Sequence, residues 1–216
     1  MNTFGTHLST ARLCLIACSA LIWLLPQDVS GTELQSEVTL WLESGQAVAT
    51  SQLSGRREIP LGAQEVVMSS GANGINGIIV TSRRLLGFSS RVLTWTKKEL
   101  DLNEKVLERK ILPTFSFIRT DRHLYGFRGV NGLWFEENLG AHEKVRRLYS
   151  NDYGAVFITT ERLIGFTPLL GGFASKPLDV HEQIVGVDNE GGLIVVSTNR
   201  RTLVFGTRLS GWEVFE

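Results

Sequence analysis

TTERLIGF, residues 159–166, decides how this chain is read, because it recurs. TSRRLLGF stands at 81–88, TDRHLYGF at 120–127 and TNRRTLVF at 198–205, so successive copies begin 39 residues apart. The likeness is wider than the phrase. Seven residues after its last Phe comes a second aromatic: Trp95, Trp134, Phe173 and Trp212. Sixteen residues before its Thr comes an acid, Glu65, Glu104, Glu143 and Glu182, each opening a short apolar stretch. Self-similarity at this period marks stacked copies of one supersecondary unit.

Periodicity selects the unit. In the last copy EQIVGV (182–187), GLIVVST (192–198), RTLVFG (201–206) and GWEVFE (211–216) read as strands a, b, c and d. They are short, β-branched or aromatic, and bounded by Gly, Asn and Asp. After residue 31 no sustained stripe of 3.6-residue period argues for a helix. Four strands in about 40 residues make one blade of a propeller. Full copies occupy 65–103, 104–142, 143–181 and 182–216. A fifth, eroded copy lies at 37–64: EVTLWLES (37–44) aligns with NGIIVTSR (76–83) by one 39-residue step, with Leu42 in place of Thr and Ala49 in place of Phe. Erosion suits a terminal unit, and this unit has no evident strand a. Over 37–216 the chain resembles β-propeller repeat proteins in general. The expectation is an all-β, five-bladed propeller whose first blade is degenerate and whose closure is left open. The Gly-His and Trp-Asp marks of WD repeats are absent.

The chain has 216 residues, 43% hydrophobic, with 22 basic and 22 acidic side chains. A neutral balance creates no long-range field, which argues against general nucleic-acid binding. The N-terminal 31 residues read as an export leader: a polar start with Arg12, an apolar run over 13–25, then small residues Val29 and Gly31. The run is shorter than the roughly 20 residues that span a bilayer as a helix, although an uncleaved anchor is the alternative. LIAC (15–18) resembles a lipoprotein box at Cys18, but the apolar run continues past it. Cys14 and Cys18 are the two cysteines and both lie in this leader, so the remainder offers no disulfide, thiol nucleophile or Cys-based metal site. A periplasmic or secreted location is expected.

In an antiparallel blade the start of a, the end of b and the start of c share one edge. The recurrent residues therefore meet there as Glu65–Thr81–Arg84, Glu104–Thr120–His123, Glu143–Thr159–Arg162 and Glu182–Thr198–Arg201. A carboxylate, a hydroxyl and a cation can form a charge-assisted chain, which resembles in its logic the network that locks WD blades. A functional reading uses the same corner. Arg83, Arg84, Arg122, His123, Arg162, Arg200 and Arg201 form a basic rim, open to an anionic glycan or small anion in a lectin-like role. His142–Glu143 and His181–Glu182 raise a metal site, but neighbours on a strand point to opposite faces, so no metal or other cofactor is expected. Catalytic motifs are absent, GANGING (71–77) reads as a long turn, and a glycosidase would need unpaired carboxylates. The leading expectation is a non-enzymatic scaffold that binds a protein partner, with membrane attachment only through an uncleaved leader. Its variable connections are SSGANGIN (69–76), ERKILPT (108–114), SNDYG (150–154) and DNEGG (188–192), with the links TKKELDLN (96–103) and FEENLGAH (135–142) beside them.

Overall fold

A computed structural model describes residues 36–206 and 211–216. The leader read over 1–31, with Cys14 and Cys18, lies outside the described residues. The first sheet holds β1 (Val38–Glu43), β2 (Gln46–Ser51) and β3 (Gly55–Pro60). The second holds β4 (Val67–Asn73), β5 (Asn76–Thr81), β6 (Arg84–Ser89) and β7 (Thr94–Glu99). The third holds β8 (Val106–Ile111), β9 (Phe115–Thr120), β10 (His123–Arg128) and β11 (Leu133–Asn138). The fourth holds β12 (Val145–Asn151), β13 (Gly154–Thr159), β14 (Arg162–Phe166) and β15 (Phe173–Pro177). The fifth holds β16 (Ile184–Glu190), β17 (Leu193–Thr198), β18 (Thr202–Phe205) and β19 (Trp212–Phe215). Every pairing is antiparallel and follows chain order. These are five β-propeller-type sheets, the first lacking strand a.

Burial shows which sheets have neighbours. In β5 and β13 every residue is buried, because another sheet lies on each side. In β17 burial alternates: Ile194, Val196 and Thr198 are buried, while Leu193, Val195 and Ser197 are exposed or half-exposed. A strand covered on one face shows this period of two. Apolar clusters join the sheets in order: Ala49 with Phe88, Ile78 with Phe127, Phe117 with Phe157, and Val156 with Phe205. Among the described residues no core cluster and no hydrogen bond joins the fifth sheet to the first.

The Gly-Phe ending of the phrase makes the joint. A Cβ built on Gly87 would lie 2.5 Å from the Phe127 ring of the next sheet. One on Gly126 would strike Phe166, and one on Gly165 would strike Phe205, closer still. Each glycine is thus a socket for the following copy's ring rather than a point of approach for a neighbouring strand. Behind the plug stands the second aromatic, paired across strands c and d. The rings of Phe88–Trp95, Phe127–Trp134, Phe166–Phe173 and Phe205–Trp212 lie 5.3, 4.9, 4.8 and 4.9 Å apart. Such pairs contribute beyond their buried area.

Two details differ from the sequence reading. β1 and β2 match β5 and β6 at a 38-residue step, since 38 aligns with 76 and 46 with 84, whereas β3 matches β7 at 39. The connection Gln52–Ser54 is one residue shorter than Ser90–Leu93. A one-residue slip exchanges the faces of a strand. Ala49 is therefore the socket that meets Phe88, not the replacement of a Phe. The a–b connections are also tighter than expected. β4 runs through Gly71 and Ala72, and Asn73 pairs with Asn76, so GANGING is mostly strand with a two-residue turn at Gly74–Ile75. β12 and β16 likewise run on, leaving Asp152–Tyr153 and Gly191–Gly192 as turns.

Gly165→Ala should destabilise the protein by about 3 kcal/mol, since the added methyl and the Phe205 ring claim the same space. In a chain of this size that is roughly 9 °C of melting temperature. Val204→Ala, at the same strand position of the fifth sheet, should cost under about 1 kcal/mol. Equal losses in thermal melts of the two variants would contradict the plug-and-socket joint.

Candidate functional site

The recurrent corner is built as a clamp. Arg84 grips Glu65 with two bonds, from Nε (2.8 Å) and Nη2 (2.9 Å). Arg162 holds Glu143 at 2.9 and 3.0 Å, and Arg201 holds Glu182 at 2.8 and 2.7 Å. The same guanidinium donates from Nη2 to the strand-d end of the preceding sheet, at the carbonyls of Pro60, Asn138 and Pro177. Arg suits this because its planar fork serves a carboxylate and a carbonyl at once. Each Glu also accepts a backbone N–H three residues upstream, from Gly62, Asp101, Gly140 or Asp179. That turn places Gln64, Asn103 and His181 at φ of 61°, 62° and 67°. The Thr hydroxyl accepts the two N–H groups that follow it around the b–c corner, as at Thr81, Thr120, Thr159 and Thr198.

One member of the clamp was missed from sequence. The residue after the Thr is Ser82, Asp121, Thr160 or Asn199, and its side-chain oxygen accepts the N–H of Val66, Lys105, Lys144 or Gln183. The signal was present, since all four are short oxygen-bearing side chains of the capping type.

The acids are buried and ionised. The side chains of Glu65, Glu143 and Glu182 are 2, 1 and 0% exposed. Burial alone would raise the Glu65 carboxyl, but Arg84, the Gly62 N–H and Thr81 hold it down at about 2. Arg201 is the largest influence on Glu182, which stays at about 2 against its burial. Glu143 and Glu104 are lowered as well, against the upward push of burial.

The third sheet departs from the pattern. His123 cannot fork, so its Nδ1 meets Glu104 at 2.7 Å and the Tyr125 hydroxyl adds a bond at 3.1 Å, beside a Thr120 hydroxyl bond (2.5 Å) of the kind Thr198 gives Glu182 (2.9 Å). Nε2 of His123 faces Glu136 at 3.6 Å and Asp101 at 4.0 Å. Asp101, Glu104 and His123 lie near enough to share an ion. The Glu104 oxygens, however, already take bonds from Thr120, His123, Tyr125 and the Asp101 N–H, so the trio serves as the local form of the clamp.

Of the basic rim, Arg84, His123, Arg162 and Arg201 are turned into these clamps. Arg83, Arg122 and Arg200 are exposed, and Arg200 lies 3.5 Å from Asp179. A second basic feature was not read from sequence. Arg146 and Arg147, at the bulge that opens β12, line a polar hollow of about 420 Å³ between the fourth and fifth sheets, with Thr160 and Gln183.

At the opposite end of the sheets, where the a–b and c–d turns lie, there is an apolar cavity of about 460 Å³ between the third and fourth sheets. That is within the size range of ligand pockets. The third sheet contributes Pro113 and Thr114 from its a–b turn and Val130 and Asn131 from its c–d turn. The fourth contributes Asp152 and Tyr153, then Pro168 and Leu169. Val130, Tyr153 and Leu169 are large apolar residues that remain 53, 62 and 65% exposed. Arg128, at the end of β10, also lines the cavity.

No protein-family model and no curated relative matches the chain. Solved structures to which it is similar include yeast RCC1 (Prp20) bound to Kap60, at 8% identity and a TM-score of 0.41. Others are Hsv2 of Kluyveromyces lactis, at 9% and 0.37, and YCF48 bound to D1 peptide, at 14% and 0.35. All three are β-propeller proteins. This chain is covered over 79, 80 and 85% of its length and spans 54, 58 and 70% of theirs.

The clamps make stability acid-sensitive. Their carboxyls titrate lower folded than unfolded, so the stabilisation is complete above the ordinary Glu value of 4.5 and is lost as pH falls through about 2. Urea midpoints should hold from neutral pH down to about 4.5 and then fall progressively towards about 2, and Glu182→Gln should make this fall shallower. Arg201→Ala, which strands a buried carboxylate, should cost about 3 kcal/mol at neutral pH. A midpoint that does not change with acid would rule the clamps out as stabilising pairs.

Proposed function

We propose that this chain is an exported, non-enzymatic scaffold that binds a protein partner at the end of its sheets where the a–b and c–d turns converge. The observation that carries this is the cavity between the third and fourth sheets. Three large apolar side chains stay exposed around it, and rigid sheets hold the turns that line it. Exposed apolar clusters on otherwise polar surfaces mark interaction sites. The exported location rests on the leader pattern of residues 1–31.

The recurrent acids speak against a glycosidase. A glycosidase needs one carboxyl kept protonated and another free to attack or to activate water. The carboxyls of Glu65, Glu104, Glu143 and Glu182 are all lowered, and each is bonded within its own corner. A second reading, binding of a small anion or acidic glycan, is favoured by the hollow that holds Arg146 and Arg147. A glycan array at two salt concentrations tests it. Retention that fades with salt and with Arg147→Ala supports it, and a silent array removes it.

For the leading reading, a photo-crosslinking residue replaces Leu169, Tyr153 or Leu102 in cells that make the protein. Leu102 is 86% exposed and lies on the d–a link, at the other end of the sheets. The expected result is a discrete adduct from positions 153 and 169 and none from 102. Adducts from 102 alone, or equally from all three, would overturn the assignment of this end.

A further inference from the structure

Resting on that reading, we infer that the partner segment seated in this cavity carries an acidic side chain beside an apolar one, and that Arg128 receives the acid. Position 128 is otherwise small in the repeat, since the corresponding residues are Ser89, Thr167 and Gly206. Ser89 and Thr167 accept N–H groups of their own c–d turns, from Arg91 and Leu169, and Ser89 also donates to the Gly129 carbonyl of the next sheet. Arg128 makes the equivalent cross-sheet bond to the Leu170 carbonyl, which a short hydroxyl manages at Ser89, so the bond alone does not call for a guanidinium.

The guanidinium is held but not neutralised. Nη2 donates to the Leu170 carbonyl, and the group lies 5.4 Å from the centre of the Phe135 ring. Nε is shielded from solvent and has no acceptor. Among the described residues no carboxylate lies within ion-pair distance of Arg128, whereas Arg84, Arg162 and Arg201 each have one. Nη1, which is not shielded and has no acceptor among the described residues, leaves a fixed cation that favours a carboxylate over a neutral group. The apolar residues Val130, Tyr153 and Leu169 beside it require an aliphatic or aromatic side chain from the same segment. Asp152 also lines the cavity and is exposed. An acid is therefore accommodated only where Arg128 is the nearer charge.

A random-peptide phage library panned on the full chain, with counter-selection on Leu169→Ser, tests this. The selected peptides are then synthesised with Asp or Glu and with the matching Asn or Gln. Enrichment of an acid next to an apolar residue is expected, with a loss of about tenfold in affinity on amidation. Arg128→Gln should abolish the difference between the acid and amide peptides, while Leu169→Ser weakens both. Should Arg128→Gln fail to fold, the acid–amide pair on the unmodified chain decides alone. Peptides that depend on Leu169 but bind equally as acid or amide overturn the inference and leave the scaffold reading intact. A library that yields no Leu169-dependent peptide overturns both.

Discussion

An aromatic ring seated on a bare backbone is the contact on which the rest depends. Each sheet approaches the next closely because the residue under the incoming ring is a glycine at three joints and carries only the Ala49 methyl at the first. Gly87, Gly126 and Gly165 receive Phe127, Phe166 and Phe205, and nothing larger fits. The ring is held from behind by the second aromatic of its own sheet. Close packing of this kind fixes both the distance and the lateral register of neighbouring sheets. Strand b of the second and fourth sheets is then enclosed along its whole length, which is why its middle residues there are apolar and its polar side chains stand at the ends.

The two ends of the sheets do different things for a physical reason. At the b–c corner, buried carboxylates each need full hydrogen bonding, and in the fifth sheet the chain supplies it to Glu182 from Arg201, the Thr198 hydroxyl and the Asp179 N–H. A corner so fully satisfied has little left to offer a ligand. The third sheet shows that the demand is for occupied lone pairs rather than for arginine itself: His123 is shorter, and Tyr125, which is Leu86, Ile164 and Leu203 in the other copies, supplies the missing donor. Among the described residues, the turns at the opposite end repeat no such network from copy to copy. They differ between copies, and between the third and fourth sheets they gather Val130, Tyr153 and Leu169 around one cavity.

Much of this architecture was legible in the residues because repetition separates requirement from accident. The 39-residue step, the four strands of a unit and the meeting of Glu, Thr and Arg at one edge follow from the phrase and from antiparallel pairing. The first unit was misaligned by one residue because the shortening lies in Gln52–Ser54, where no repeated residue marks the register. Ala49 beneath Phe88 would have revealed it, once the glycine was understood as a seat for a ring. The cavity between the third and fourth sheets had no local signature at all. It is assembled from four separate turns, and each alone reads as an ordinary connection. Arg128 stood out only against Ser89 and Thr167, a comparison that gains meaning when the surroundings of all three are known.

The joints at the two outer sheets bear on how such an array can grow. Val204 fills the seat in the fifth sheet, and Thr50 stands in the first where an aromatic plug would be. A copy inserted between existing sheets would bring both halves of the joint and could be accepted at once. A copy added beyond either outer sheet would meet a blocked seat or a missing ring, so gene duplication in this lineage would be tolerated from the interior outward.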